Sequence, residues 1–213
     1  MPPTNHLIEF LIASTLIILV PGPSVLFTVA RAIAWGRLTA VMTVVGNALG
    51  MLVMAALIAF GFGPLLERSP LLYAVVQWAG GVYLIWLGID ALRHRHEHAA
   101  DMVDQGPVAP SGTKTLREGF VVGILNPKSL VFFAAVFPQF VDPEAGNVSM
   151  QLMVLGIIFA IIAVLSDGTW GIVAGSARVW LANNPQRLVQ MRVVGGCVML
   201  MLGALVLVTA PRP

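Results

Sequence analysis

Six runs of mostly apolar residues, near 7–30, 38–63, 71–91, 118–138, 149–177 and 190–210, are each long enough to cross about 30 Å of hydrocarbon. A chain built this way has lipid as its solvent. Only 10% of its 213 residues are charged and 58% are hydrophobic, whereas a soluble domain carries about 25% charged residues. The expected fold class is therefore all-α: a polytopic membrane protein of six transmembrane helices, forming a single domain over residues 1–213. The first run lacks a basic n-region, is too long for a signal peptide and has no clean small-residue cleavage site after it, so it is read as an uncleaved helix.

The placement of cations orients the chain. Arg31 and Arg37 lie in the first connection, Arg93, Arg95, Lys114 and Arg117 in the third, and Arg178, Arg187 and Arg192 in the fifth. The second loop and the C-terminal tail hold only Arg68 and Arg212. This bias puts the odd loops in the cytoplasm and both termini outside. Residues 92–115, with Gly106-Pro107, Pro110, Ser111 and Gly112, have the composition of a flexible cytoplasmic linker between halves 1–91 and 116–213. Ala79–Gly88 aligns without gaps against Val194–Gly203, matching three glycines and a leucine. With an odd number of spans per half, the second half enters the membrane reversed, which is the 3+3 inverted-repeat plan of many secondary transporters.

Two proline breaks interrupt this pattern, one in each half. Pro21 and Pro23, within Val-Pro-Gly-Pro-Ser, cannot donate backbone hydrogen bonds, and a helix arriving there must kink or break. Pro127, within Asn126-Pro127-Lys128, does the same in the fourth run. In each case a capping residue, Gly22 or Asn126, precedes a proline at the first helical position, so a half-helix can restart. The exposed N–H groups and positive dipole of such N-termini suit a carboxylate. A membrane proline can also be a packing kink, and it is the pairing of two breaks that points to a binding site.

Depth follows from a rise of about 1.5 Å per residue. Pro23 lies eight residues before Arg31 and Asn126 eight after Glu118, so both breaks sit about 12 Å in from the cytoplasmic charges. Lys128 and Asp167 each lie eleven residues from a boundary cation, about 16 Å deep and near the midplane. A charge at that depth costs at least about 2.5 kcal/mol unless it faces a partner or a wet cavity. The two are expected to interact, either as a static pair that fixes helix packing or with Asp167 exchanging a proton or ion. Asn47, inside Gly46-Asn47-Ala48-Leu49-Gly50, shares the layer of the breaks; it could bind a substrate or bridge two helices across a small-xxx-small contact.

Other features point to no chemistry. His94, His96 and His98 lack a further ligand at metal spacing and read as a solvated helix end. The lone Cys197 offers no redox pair, scattered basic residues give no nucleic-acid footprint, and no Walker A, GxSxG or HExxH sequence occurs. Neither a metal nor another cofactor is called for, and the chain is not expected to be an enzyme. Glycine-rich faces permit a homodimer. A metal or inorganic ion exporter, or a non-transporting membrane scaffold subunit, remain as alternatives.

Taken in order, Pro21-Gly-Pro-Ser-Val-Leu, Gly36-Arg37, Gly80-Gly-Val-Tyr-Leu-Ile-Trp-Leu-Gly88, Gly119-Phe, Asn126-Pro-Lys-Ser, Phe137-Pro-Gln-Phe-Val-Asp-Pro and the fifth-span Asp167 resemble the lysine exporter (LysE/RhtB) family, nearest its homoserine and threonine exporter branch. The resemblance covers almost the whole chain. It implies a secondary transporter of the bacterial inner membrane that exports amino acids from the cytoplasm by proton antiport. It carries substrate-binding or gating roles onto Pro21, Gly22, Pro23, Asn126, Pro127 and Lys128, and proton coupling onto Asp167. The scarcity of cavity carboxylates favours neutral amino acids, such as threonine, homoserine or leucine, over lysine or arginine.

Overall fold

The computed structural model describes residues 4–62, 70–97, 109–177, 179–180 and 183–209. All regular structure among them is helical. The elements are α1 (Thr4–Leu19), α2 (Pro23–Trp35), α3 (Arg37–Leu57), α4 (Pro70–Arg93), α5 (Gly112–Ile124), α6 (Pro127–Val131), α7 (Val148–Ser176) and α8 (Pro185–Thr209). Four described segments are long and apolar enough to cross a membrane: Arg37–Gly61, Gly112–Phe140, Val148–Ser176 and Gln186–Val208. The pair α1 and α2, bent by 45° at the first proline break, makes a fifth when taken as one span. α4 occupies the third apolar run. Large side chains such as Leu125, Leu165 and Val208 are 70%, 68% and 83% exposed, as lipid-facing residues should be.

Both ends of the expected linker, 92–115, are helical: α4 runs on to Arg93, and α5 begins at Gly112 because Ser111 caps it, its hydroxyl accepting from Lys114 N at 3.4 Å and its carbonyl from Thr115 N at 2.9 Å. Ser111 and Gly112, which read as linker by composition, are a helix start; residues 98–108 lie outside the described set. The fourth run also ends irregularly. Beyond α6 the chain widens into a π-helical turn at Phe132–Val136 and tightens into a 3-10 turn at Phe137–Phe140, where Pro138 has no N–H for a regular helical bond.

Two glycine-lined contacts bring helices together at backbone distance. Gly46 and Gly50 of α3 face the carbonyls of Leu116 and Phe120, while Gly119 and Gly123 of α5 face the backbone of Thr43 and Asn47. No Cβ fits at any of these positions. Gly88 of α4 meets Gly196 of α8, and Gly81 meets Gly203, with 2.7 to 3.1 Å between a carbonyl oxygen and the place a Cβ would take. In lipid, where burial of apolar surface gives helices no reason to associate, such close approach is a main source of helix–helix attraction.

The largest apolar cluster joins α1, the irregular end of the fourth run and α7. Phe10, Phe132, Phe133, Phe137, Phe140 and Phe159 interlock there; Phe133 and Phe137 have ring centroids 4.4 Å apart, and Phe10 and Phe137 pack edge to face at 5.0 Å.

The α3–α5 contact is tested by Gly50→Val, which forces backbone away from backbone and should cost about 1–3 kcal/mol or more. Thermal unfolding of the detergent-solubilised protein should show a clear drop, whereas Gly61→Ala, which meets no atom within 4 Å, should unfold as the wild type does.

Candidate functional site

The first break leaves the end of α1 with carbonyls that Pro21 and Pro23 cannot satisfy. The second break answers this need. Asn126 caps α6, its side-chain oxygen accepting from Lys128 N at 3.1 Å, with Pro127 in the first helical turn. This cap aims the Lys128 side chain back at α1, where Nζ donates to the carbonyls of Ile17 and Val20, each at 3.0 Å. The Ile17 carbonyl is the one a residue with an N–H at position 21 would have taken. The ammonium also sits at the C-terminal, negative end of the α1 dipole. Lys128 is 4% exposed, and its stem runs across Gly22, where a Cβ would come within 2.8 Å of Nζ. Gly22 is therefore the space through which the lysine reaches the break. α8 closes the other side, with Gly195 packed on the Pro21 carbonyl.

α2 restarts at Pro23 with Gly22 as N-cap, and the Gly22 carbonyl accepts from Leu26 N at 2.9 Å. Beside this N-terminus stands Asp167 of α7, 2% exposed. Its Oδ2 accepts from Asn47 Nδ2 at 3.3 Å, and the Ser24 hydroxyl at the start of α2 lies near enough to act on the same carboxylate. Lys128 and Asp167 act on each other electrostatically, but among the described residues they form no ion pair within 4.0 Å. Asn47 reaches across from α3 to Asp167 on α7, while the glycines on either side of it pack against the backbone of α5. One turn further along α3, Met51 Sδ accepts from Ser129 at 3.8 Å, so the same face of α3 meets α6. Two amide atoms in this region, Asn47 Oδ1 and Asn126 Nδ2, are buried with no partner among the described residues. One can accept and the other donate.

The sequence model of the LysE type translocator family matches residues 15–210. The chain belongs to that family. It is similar to the homoserine/homoserine lactone efflux protein of Salmonella typhimurium (30% identical over 198 residues, 92% of this chain and 93% of that protein). Similar proteins also include the leucine efflux protein of Enterobacter sp. (30% over 159 residues, 72% of each) and the threonine efflux protein of Escherichia coli (31% over 129 residues, 60% of this chain and 62% of that one). No solved structure gives a significant match.

In this LysE-type chain, the candidate residues Pro21, Gly22, Pro23, Asn47, Asn126, Pro127, Lys128 and Asp167 all lie at the two breaks or on the helices that flank them. Three further residues join them that sequence reasoning left out. Ser24 was visible only as the last residue of Val-Pro-Gly-Pro-Ser. Arg31 and Glu118 read as boundary charges in water, yet Arg31 is 6% exposed and its Nη2 donates to Glu118 Oε2 across 87 residues of sequence. Their matching distances from the two breaks were the available signal. His94 stays apart from the site, pairing with Asp90 at 2.9 Å on an exposed end of α4, and His98 lies outside the described residues.

Gly22 and Lys128 should be coupled energetically. Gly22→Ala should destabilise the wild-type background by about 1–3 kcal/mol, because it displaces the amine from two buried carbonyls. In a Lys128→Ala background the same change should be close to neutral, since nothing remains to collide with. A double-mutant cycle on thermal or denaturant unfolding in detergent measures this non-additivity.

Proposed function

We propose that the chain is a secondary transporter that exports neutral amino acids, with threonine, homoserine and leucine as first candidates, from the bacterial cytoplasm across the inner membrane by proton antiport. Family membership and the efflux names of its relatives support the substrate class. The observation that carries the mechanism is the buried Asp167 carboxylate, held by Asn47 beside Ser24 at a helix N-terminus and near Lys128.

On this reading the membrane is crossed six times, with both termini outside and the halves related as inverted repeats. The α4–α8 contact supports that plan. Gly81 and Gly88 correspond to Gly196 and Gly203 in the repeat alignment, and the contacts pair Gly81 with Gly203 and Gly88 with Gly196. This crossed pairing is what an internal two-fold relation requires of a self-complementary interface.

A zwitterionic amino acid has chemical matches at the site. Its ammonium fits Asp167 and the free Asn47 Oδ1; its carboxylate fits the free Asn126 Nδ2 and the N-terminus of α2. Asp167 then holds either the substrate's ammonium or a proton, and the exchange of one for the other couples the two fluxes. The cycle runs only if the inward and outward states differ in their affinities for each. Two closures flank the site: the phenylalanine cluster on the side where α1 begins, and the Arg31–Glu118 pair on the side where α2 ends. With the N-terminus outside, the first closes the outer path and the second the cytoplasmic one.

Uptake of radiolabelled amino acids into inverted vesicles, with and without an imposed proton gradient, tests the reading. One or a few neutral amino acids should accumulate in a gradient-dependent way, and Asp167→Asn should abolish the response to the gradient. Unchanged gradient dependence and rate in that variant would remove Asp167 from coupling.

A further inference from the structure

α2 carries a stripe of polar groups in which export as described leaves the Thr28 hydroxyl and two donors of Arg31 unused. Ser24, Thr28 and Arg31 are spaced i, i+4 and i+7, so they share one face of the helix. All three are buried, at 4%, 0% and 6% exposure. Ser24 lies beside Asp167 at one end of this stripe. In the middle, the Thr28 methyl packs over Gly171 while its hydroxyl has no partner, not even the carbonyl one turn back that a helical threonine usually takes. At the far end Arg31 gives Nη2 to Glu118, but its Nε and Nη1 are buried and unpartnered. The guanidinium is fixed in place by the rings of Phe27 and Trp35, whose centroids lie 4.6 and 5.2 Å from its central carbon.

A guanidinium is built to bind a carboxylate through two parallel N–H groups, and donors left bare in a buried place are costly. Both parallel pairs on Arg31, Nε with Nη2 and Nη1 with Nη2, include the Nη2 that Glu118 holds, so a carboxylate seated on two of its donors takes the place of Glu118. We propose that the Ser24–Thr28–Arg31 face of α2 is the cytoplasmic approach to the site, and that Arg31 binds the carboxylate of the incoming amino acid in exchange for Glu118. The inference rests on the export reading above and extends it to the route of entry.

Charge balance makes this exchange workable. One carboxylate replaces another, so the buried guanidinium keeps an anionic partner throughout, and the displaced Glu118 carboxylate stays nearby as the counter-charge to the incoming ammonium. The displaced Glu118 has a second cation at hand in the exposed Lys114, whose Nζ is 4.0 Å from Oε1. Arg31 lies about 12 Å along the helix from Pro23, too far for one small amino acid to span, so Arg31 and Asp167 are successive stations and Thr28 offers a hydroxyl between them. Recognition at the first station demands a carboxylate, so amines and amino-acid amides are turned away before they reach Asp167.

The test is concentration-dependent uptake of threonine, homoserine and leucine into inverted vesicles carrying the full-length wild type, Arg31→Gln or Glu118→Gln, with the matching amino-acid amides as competitors. Arg31→Gln should raise the half-saturating concentration by about tenfold or more, the loss of a charge-assisted hydrogen bond, and should abolish discrimination against the amides. Glu118→Gln removes the competing carboxylate and should lower that concentration. A latch with a purely structural role predicts that both variants weaken transport alike. A higher half-saturating concentration in Glu118→Gln overturns the proposal even if Arg31→Gln fails to fold, and so does an unaltered value in Arg31→Gln; the export reading survives both results. If the wild type moves none of the three amino acids, the export reading falls and the entry route with it.

Discussion

Bonding of the Lys128 ammonium to the carbonyls of Ile17 and Val20 is the interaction on which the rest of the arrangement depends. A broken helix in lipid needs a partner for its freed backbone, and here the partner comes from the other broken helix. That single side chain joins the end of α1 to the start of α6 and brings the two proline breaks face to face. Gly22 leaves the gap it passes through, and the Asn126 cap sets its direction. Neither proline would make a site alone. Together, with a lysine between them, they define a buried polar cluster beside Asp167 in a surrounding that is otherwise apolar.

The same economy governs the helices around the cluster. Glycines flank Asn47 on both sides and pack against the backbone of Leu116 and Phe120 in α5, whose own Gly119 and Gly123 pack against Thr43 and Asn47. A side chain at Gly46, Gly50, Gly119 or Gly123 would force α3 and α5 apart. The packing on the two sides of this cluster differs in kind: interlocked phenylalanine rings on one side, a buried ion pair stacked on aromatic rings on the other.

Much of this was legible in the sequence, because lipid as solvent and proline as interrupter have few structural outcomes. The positions of the breaks, the candidacy of Asn47 and Asp167, and the close approach through Gly46 and Gly50 all follow from residue type and spacing. What spacing does not convey is which group answers an unpaired carbonyl. Lys128 reads as a match for Asp167 in depth and sign, yet its hydrogen bonds go to backbone, and the carboxylate is held by Asn47 with Ser24 close by. Arg31 misled for a related reason. A charge a few residues from a helix end reads as wet, and only the tertiary fold reveals that Glu118 and two rings cover it. At the linker, Ser111 shows that residues favoured in loops also start helices.

The Lys128 bond also has a consequence for how the protein is made. It spans 111 residues to Ile17, so the first broken helix emerges from the ribosome and enters the bilayer long before its partner has been synthesised. During that interval the carbonyls at Val20 and Ile17 have only water, lipid headgroups or the insertion machinery to bond to. The prolines bend the first half by themselves, but two of the carbonyls at that bend wait for the second half to supply their partner.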